Sequence, residues 1–250
     1  MGRRLGQHFL TRKSILDKIA AAACPDRESL VVEIGPGRGA LTESLLDRAE
    51  KVTAIEVDPI LVHYLQHKFR DPIAEGRLDL VPGDILRTDL AAWGPCVIAG
   101  NLPYYITSPI LERLFVVAGV WSRAVFLVQA EVAARIAAEP GSRDYGFLSV
   151  TTQLRADTER LFEVPREAFR PPPKVQSEVI KLVPREPPVR DLALLVRFLS
   201  VCFRQKRKTL RNNLAVVYGK ERAQTLVDAR VRAEQLSIPE LVGLYERCHV

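Results

Sequence analysis

Apolar residues in this chain gather into short runs separated by stretches of helical period. The runs at 30–34, 52–56, 78–81, 97–100 and 124–129 read as β-strands. Between the first two, Leu41, Leu45 and Leu46 recur at helical spacing. Strands alternating with helices predict an α/β, Rossmann-like fold, a parallel sheet with helices on both faces. Two further strands are expected in "ADTERLFEVP" (156–165) and "SEVIKLVP" (177–184), on either side of the rigid Phe169-Arg170-Pro171-Pro172-Pro173-Lys174. A first helix is expected to open on Ser14-x-x-Asp17, which reads as a capping box. Beyond the proline-rich, charged "PREPPVR" (184–190) every pattern is helical. Two domains are therefore expected, a sheet domain over 1–186 and a small helical domain over 187–250.

With 250 residues, 47% hydrophobic and 26% charged, the chain can bury one good core and a smaller second one. No apolar stretch reaches membrane-spanning length, and "MGRRLGQHFL" lacks both a signal segment and the myristoylation pattern. The expectation is a cytoplasmic protein without membrane association. Cys24, Cys96, Cys202 and Cys248 are scattered, and His63 and His67 have no accompanying ligand set, so neither disulfides nor a metal is expected. The net charge of +6 makes its distribution worth following. It concentrates in "FRQKRKTLRNN" (203–213), where Arg204, Lys208 and Arg211 follow helical spacing and Lys206 and Arg207 widen the stripe. One positive helical face predicts contact with nucleic acid.

The chemistry gathers at the strand ends. "VVEIGPGRGALTESLL" (31–46) is strand, glycine turn and helix, and it fits a dinucleotide fingerprint with Glu56 about 20 positions on. In open α/β sheets ligands bind outside the carboxyl ends of strands. There the chain offers Glu33 with Gly35 and Gly37, then Glu56-Val57, then Asp84-Ile85, then Asn101. Glu56 can accept from ribose hydroxyls and Asp84 from an adenine amine, with Val57 and Ile85 as apolar surface for the base. A carboxylate before the glycines opposes a pyrophosphate but suits a cation, which favours S-adenosylmethionine over a nicotinamide cofactor. Asn101-Leu102-Pro103-Tyr104 then suits methylation of an adenine amine. The Asn101 oxygen and the Leu102 carbonyl can accept its two hydrogens, Pro103 keeps Leu102 extended, and Tyr104 can stack on an unstacked base. A dinucleotide-linked oxidoreductase and a non-enzymatic nucleic-acid-binding factor are the competing classes.

"GQHFL" (6–10), "EIGPGRGALT" (33–42), "GDIL" (83–86), "NLPYYITSPIL" (101–111), "YGFLSV" (145–150), "FRPPPKVQSEV" (169–179) and "FRQKRKTLRNNL" (203–214) occur in this order. Together they resemble the ribosomal RNA adenine N6-dimethyltransferases, most closely the bacterial small-subunit KsgA type. The resemblance spans essentially the whole chain. It implies an S-adenosylmethionine-dependent enzyme that dimethylates two adjacent adenosines near the 3′ end of small-subunit rRNA, working on immature ribosomal particles. The chain is expected to act as a monomer. The related Erm enzymes, which modify large-subunit rRNA, are the alternative. Carried over, the family implies cofactor contacts at Gln7, His8, Leu10, Glu33, Gly35, Gly37, Glu56, Asp84 and Asn101. It also implies that Asn101 and Tyr104 hold the target adenine while Phe169 closes over its other side. His8 departs from the pattern, since many members carry Asn there.

Overall fold

The run around Val31 and Val32 forms a strand because both residues can be buried, one toward each face of a sheet. The structure is a computed structural model that describes residues 8–117 and 119–249. Its strands are β1 (Phe9–Leu10), β2 (Glu28–Ile34), β3 (Ala49–Glu56), β4 (Leu78–Pro82), β5 (Cys96–Asn101), β6 (Trp121–Gln129), β7 (Ala156–Val164), β8 (Phe169–Arg170) and β9 (Ser177–Pro184). The helices are α1 (Lys13–Ala23), α2 (Ala40–Leu46), α3 (Pro59–Lys68), α4 (Arg70–Ala74), α5 (Thr107–Val116), α6 (Ala130–Ile136) and α7 (Phe147–Gln153). They continue with α8 (Leu192–Cys202), α9 (Leu210–Tyr218), α10 (Lys220–Leu226) and α11 (Ile238–His249).

Seven strands form one sheet in the order β4-β3-β2-β5-β6-β9-β7. The pairs from β4 through β6 are parallel, and β9 runs antiparallel to β6. The chain winds outward from β2 to β4 and then restarts on the other side of β2 with β5. That reversal opens a crevice at the carboxyl ends of β2 and β5, where ligands of such sheets bind. Helix α1 buries Ile15, Leu16, Ile19, Ala20 and Ala23 in one cluster with Leu41 and Leu45 of α2 and with Val31, Val52, Val97 and Val125 of the sheet. Each buried Val, Leu or Ile among them stabilises by about 1.5–3 kcal/mol, and each alanine by less.

The expected capping box does not form. Ser14 lies inside α1, whose N-cap is Arg12 with no side-chain cap, and Asp17 is held by Lys13 and by the Ser44 hydroxyl. Two small strands escaped the sequence pattern: β1 pairs β8 antiparallel, Phe9 with Arg170 and Leu10 with Phe169.

The chain divides into two units, but not by a single cut near 187. The first holds the described residues up to Ala133 together with Thr158–Pro184, and the second holds Ala134–Asp157 and everything from Arg185. The reason is a shared core: Tyr145, Val150 and Leu154 pack in one cluster with Leu195, Phe198 and Leu199 of α8 and Leu241 and Leu244 of α11. A hydrogen bond from the Arg185 amide to the Arg155 carbonyl adds to it.

Candidate active site

Strand β2 ends at Ile34, and the chain turns through Gly35, Gly37 and Gly39, with φ of 67°, 59° and 75°. These left-handed angles are strained for any residue with a Cβ. Two of the glycines are also fixed by contact. A Cβ on Gly37 would stand 3.1 Å from the Phe9 ring, and one on Gly39 would overlap Phe69 at 2.3 Å. The turn therefore brings backbone amides close beneath β1 and seats α2 against the end of α3. Asp58 caps α3 through the Ile60 amide, with Pro59 at its first position.

Two carboxylates sit at the floor. Glu56 is buried, and its oxygens accept hydrogen bonds from the amides of Gly37 (3.1 Å), Val57 (2.9 Å) and Asp58 (2.9 Å). Burial raises its pKa against the opposing pull of those amides. Glu33 is 1% exposed. Burial pushes its pKa up to about 7, the Thr42 hydroxyl at 2.6 Å draws it down, and the Glu56 charge pushes the same way as burial. Asp84 accepts from the Leu86 amide, which shapes the loop after β4.

At the end of β5 the Asn101 side-chain amide donates to the His8 carbonyl at 3.2 Å. The Leu102 amide donates to Leu127 of β6, which fixes the backbone ahead of Pro103. The Tyr104 hydroxyl lies 2.7 Å from the Ser177 hydroxyl, and its ring lies nearly parallel to that of His8 with centroids 6.2 Å apart. Burial raises the Tyr104 pKa against the pull of Ser177, so the phenol is neutral.

All of this surrounds one cavity of about 530 Å³. Glu33, Gly35, Gly37, Glu56, Val57, Asp84, Ile85, Asn101, Leu102 and Tyr104 of the strand-end reading line it, together with His8 and Leu10, which only the family resemblance brought in. Gln7 lies outside the described residues. Phe169 is placed otherwise: it is fully buried in the apolar cluster beneath the sheet's helices, because its pairing with Leu10 turns it into the core. Its neighbours Arg170 and Pro171 line the cavity instead. Sequence reasoning missed Phe9, Arg38, Tyr64, Lys68 and Tyr105, which also line it. Phe9 and Arg38, with the guanidinium 4.9 Å from the ring centroid, fall inside motifs already noted and could have been found there. Tyr105 likewise falls inside "NLPYYITSPIL", whereas Tyr64 and Lys68 carry no such signal.

The sequence profile of the ribosomal RNA adenine dimethylases matches residues 2–248. The chain belongs to that family. It is 40% identical over 247 residues to the ribosomal RNA small subunit methyltransferase A of Legionella pneumophila, covering 97% of this chain and 95% of that one. Its fold matches a dimethyladenosine transferase from Plasmodium falciparum with a TM-score of 0.82 at 27% identity, over 97% and 98% of the two chains. It also matches the 23S rRNA methyltransferase ErmE with a TM-score of 0.73 at 28% identity, over 97% and 100%.

A ribosomal RNA adenine dimethylase takes its methyl group from S-adenosylmethionine, and the cavity's donor set fits that molecule. Three backbone amides occupy most of the Glu56 carboxylate and leave about one lone-pair site, on Oε2, for a ribose hydroxyl. A carboxylate as buried as Glu33 gains from a nearby cation. Among the described residues no cluster of three His, Cys, Asp or Glu is placed to hold a metal, and no helix is long and apolar enough to cross a membrane.

In this dimethylase the basic segment is not a helical face. Helix α8 ends at Cys202 and α9 starts at Leu210, so Arg204, Lys206, Arg207 and Lys208 sit on the exposed loop between them. Thr209 caps α9 through the Asn212 amide, while the buried Asn213 donates to the carbonyls of Cys202 and Gln205 and ties the loop down. Arg211 differs from the other four, since its guanidinium is partly buried and donates to the Val227 carbonyl. Lys206 donates to the Arg143 carbonyl at 2.5 Å.

Proposed function

We propose that this chain dimethylates the exocyclic amines of two adjacent adenosines near the 3′ end of small-subunit rRNA. It acts on immature ribosomal particles in the cytoplasm, as a monomer. The 40% identity to a small-subunit methyltransferase favours that subunit over the one named for ErmE. The exposed loop of Arg204, Lys206, Arg207 and Lys208 supplies a cationic surface for rRNA phosphates. Catalysis belongs to the first unit and rRNA contact to the second.

Glu56 holds the ribose, Asp84 the adenine amine between Val57 and Ile85, and Glu33 the cationic end of the methionine moiety. S-adenosylmethionine, when bound, supplies an electrophilic methyl group. The observation that carries the reading is the anchored amide of Asn101. Because its NH2 is engaged by a carbonyl, which can only accept, its oxygen is the arm left to receive a hydrogen from the target amine. The Leu102 carbonyl receives the second hydrogen, so the nitrogen lone pair turns out of conjugation with the ring. Tyr104, held by Ser177, stacks on the base. The methylated amine is acidic enough to lose its proton to water, so catalysis rests on orientation and electrostatics.

The test is methylation of purified immature small and large subunits, with mass spectrometry of the product adenosines. Dimethyladenosine in small-subunit rRNA alone is expected. Asn101→Ala should slow transfer on the order of 10²–10³-fold with an unchanged melting temperature. Product confined to large-subunit rRNA would overturn the substrate assignment, and near-parental turnover by the variant would overturn the mechanism.

A further inference from the structure

We propose that His8 is a positioning residue that sets the orientation of Asn101, rather than a cofactor contact as its place in the cavity wall first suggests. The inference rests on the adenine-amine reading of the site.

A side-chain amide can present either of its arms, and only the oxygen can accept from an amine N–H. Asn101 is held in one orientation by the backbone carbonyl of His8, 3.2 Å from Nδ2. What matters next is what holds that carbonyl in place. On one side, Phe9 and Leu10 pair with Arg170 and Phe169. On the other, the His8 imidazole reaches the Pro171 carbonyl at 2.8 Å from Nδ1. That carbonyl can only accept, so Nδ1 carries the hydrogen. The ring also lies against Tyr104, within 25° of parallel. A chain of contacts thus runs from Pro171 through the His8 ring and its own carbonyl to the Asn101 amide. Loss of the ring frees residue 8 to move, and the Asn101 amide is then free to rotate. Asn at this position also keeps an N–H donor, so it can reach the Pro171 carbonyl in place of the imidazole.

The two roles for His8 separate in a binding-against-turnover comparison. His8→Ala and His8→Asn would be measured with the parent for affinity toward S-adenosylhomocysteine, for single-turnover methyl transfer at saturating cofactor and small subunits, and for melting temperature. The positioning role expects His8→Ala to transfer about tenfold more slowly with affinity and melting temperature held within about twofold and a degree or so, and His8→Asn to recover most of the rate. A parental rate for His8→Ala at saturation, with weakened affinity, would overturn the inference in favour of a cofactor contact. So would a His8→Asn variant as slow as His8→Ala. A parent inactive on every rRNA would overturn the proposed function and this inference with it, whereas an active parent confines any failure to His8.

Discussion

Replacing Glu33 by Gln tests whether a buried carboxylate is what the cofactor's cationic end binds. Burial holds the free Glu33 at a pKa of about 7, so near neutrality half of it is protonated. A cation beside it favours the charged form, so binding expels the proton and affinity rises with pH. With the bound form ionised throughout, the apparent Kd grows by the factor of protonated plus ionised over ionised free protein. That is roughly elevenfold at pH 6 and roughly 1.1-fold at pH 8, a net loss of about tenfold between them. At about pH 7, half a proton should leave per molecule bound. Calorimetric titration of S-adenosylhomocysteine, in two buffers of different ionisation enthalpy, reads both quantities. The Gln variant carries any titration of the ligand itself, so the difference between the two profiles isolates Glu33. Without ligand the sign reverses. A carboxyl raised from 4.5 to about 7 stabilises the fold below its unfolded pKa, and this contribution of about 3 kcal/mol is lost as pH rises through 7. A parent whose Kd changes by less than about twofold over that range, or which releases no proton, would refute the reasoning.

Gly39→Ala should destabilise the first unit by about 2–5 kcal/mol in urea unfolding, summing the left-handed backbone and the overlap with Phe69. A Phe69→Leu partner should recover only the share of the overlap that Phe69 makes, since Leu65 would also stand 2.9 Å away, and a loss under about 1 kcal/mol would contradict the geometry. Replacing Arg204, Lys206, Arg207 and Lys208 with Gln should lower the slope of log affinity for small subunits against log salt by about 3, with an unchanged melting temperature. Arg211→Gln should instead cost about 1–3 kcal/mol of stability, because its guanidinium serves the Val227 carbonyl.

The sheet strands were legible because each is a run of buried residues closed by turn chemistry. In β3 the last five residues are all buried, and the run from Val52 to Glu56 stands out unaided. Strand starts were less visible, since Glu28 pairs with Ala49 through backbone alone and its side chain follows no apolar pattern. The cavity floor was legible for the same reason as the strands, because polar residues at strand ends share one edge by topology. Phe169 was misplaced since an aromatic beside a proline segment looks the same whether it faces a ligand or a core. The register with Leu10 decides, and two-residue strands about 160 positions apart leave no local period. The charges at 204, 208 and 211 mimicked a helical stripe, whereas the cap at Thr209 was the stronger local signal. The grouping of 134–157 with the C-terminal helices is a matter of long-range packing, which periodicity does not encode.

The pairing of β1 with β8 also has a consequence for the time at which this protein becomes able to bind. His8 and Pro171 are 163 residues apart, yet together they wall the cofactor cavity. A chain growing at about 5–20 residues per second makes its glycine turn roughly 7–30 seconds before it makes the segment that holds the wall above it. Until then a growing chain carries Glu33 and Glu56 without Arg170 and Pro171, the share of the cavity wall that comes from the second half of the protein.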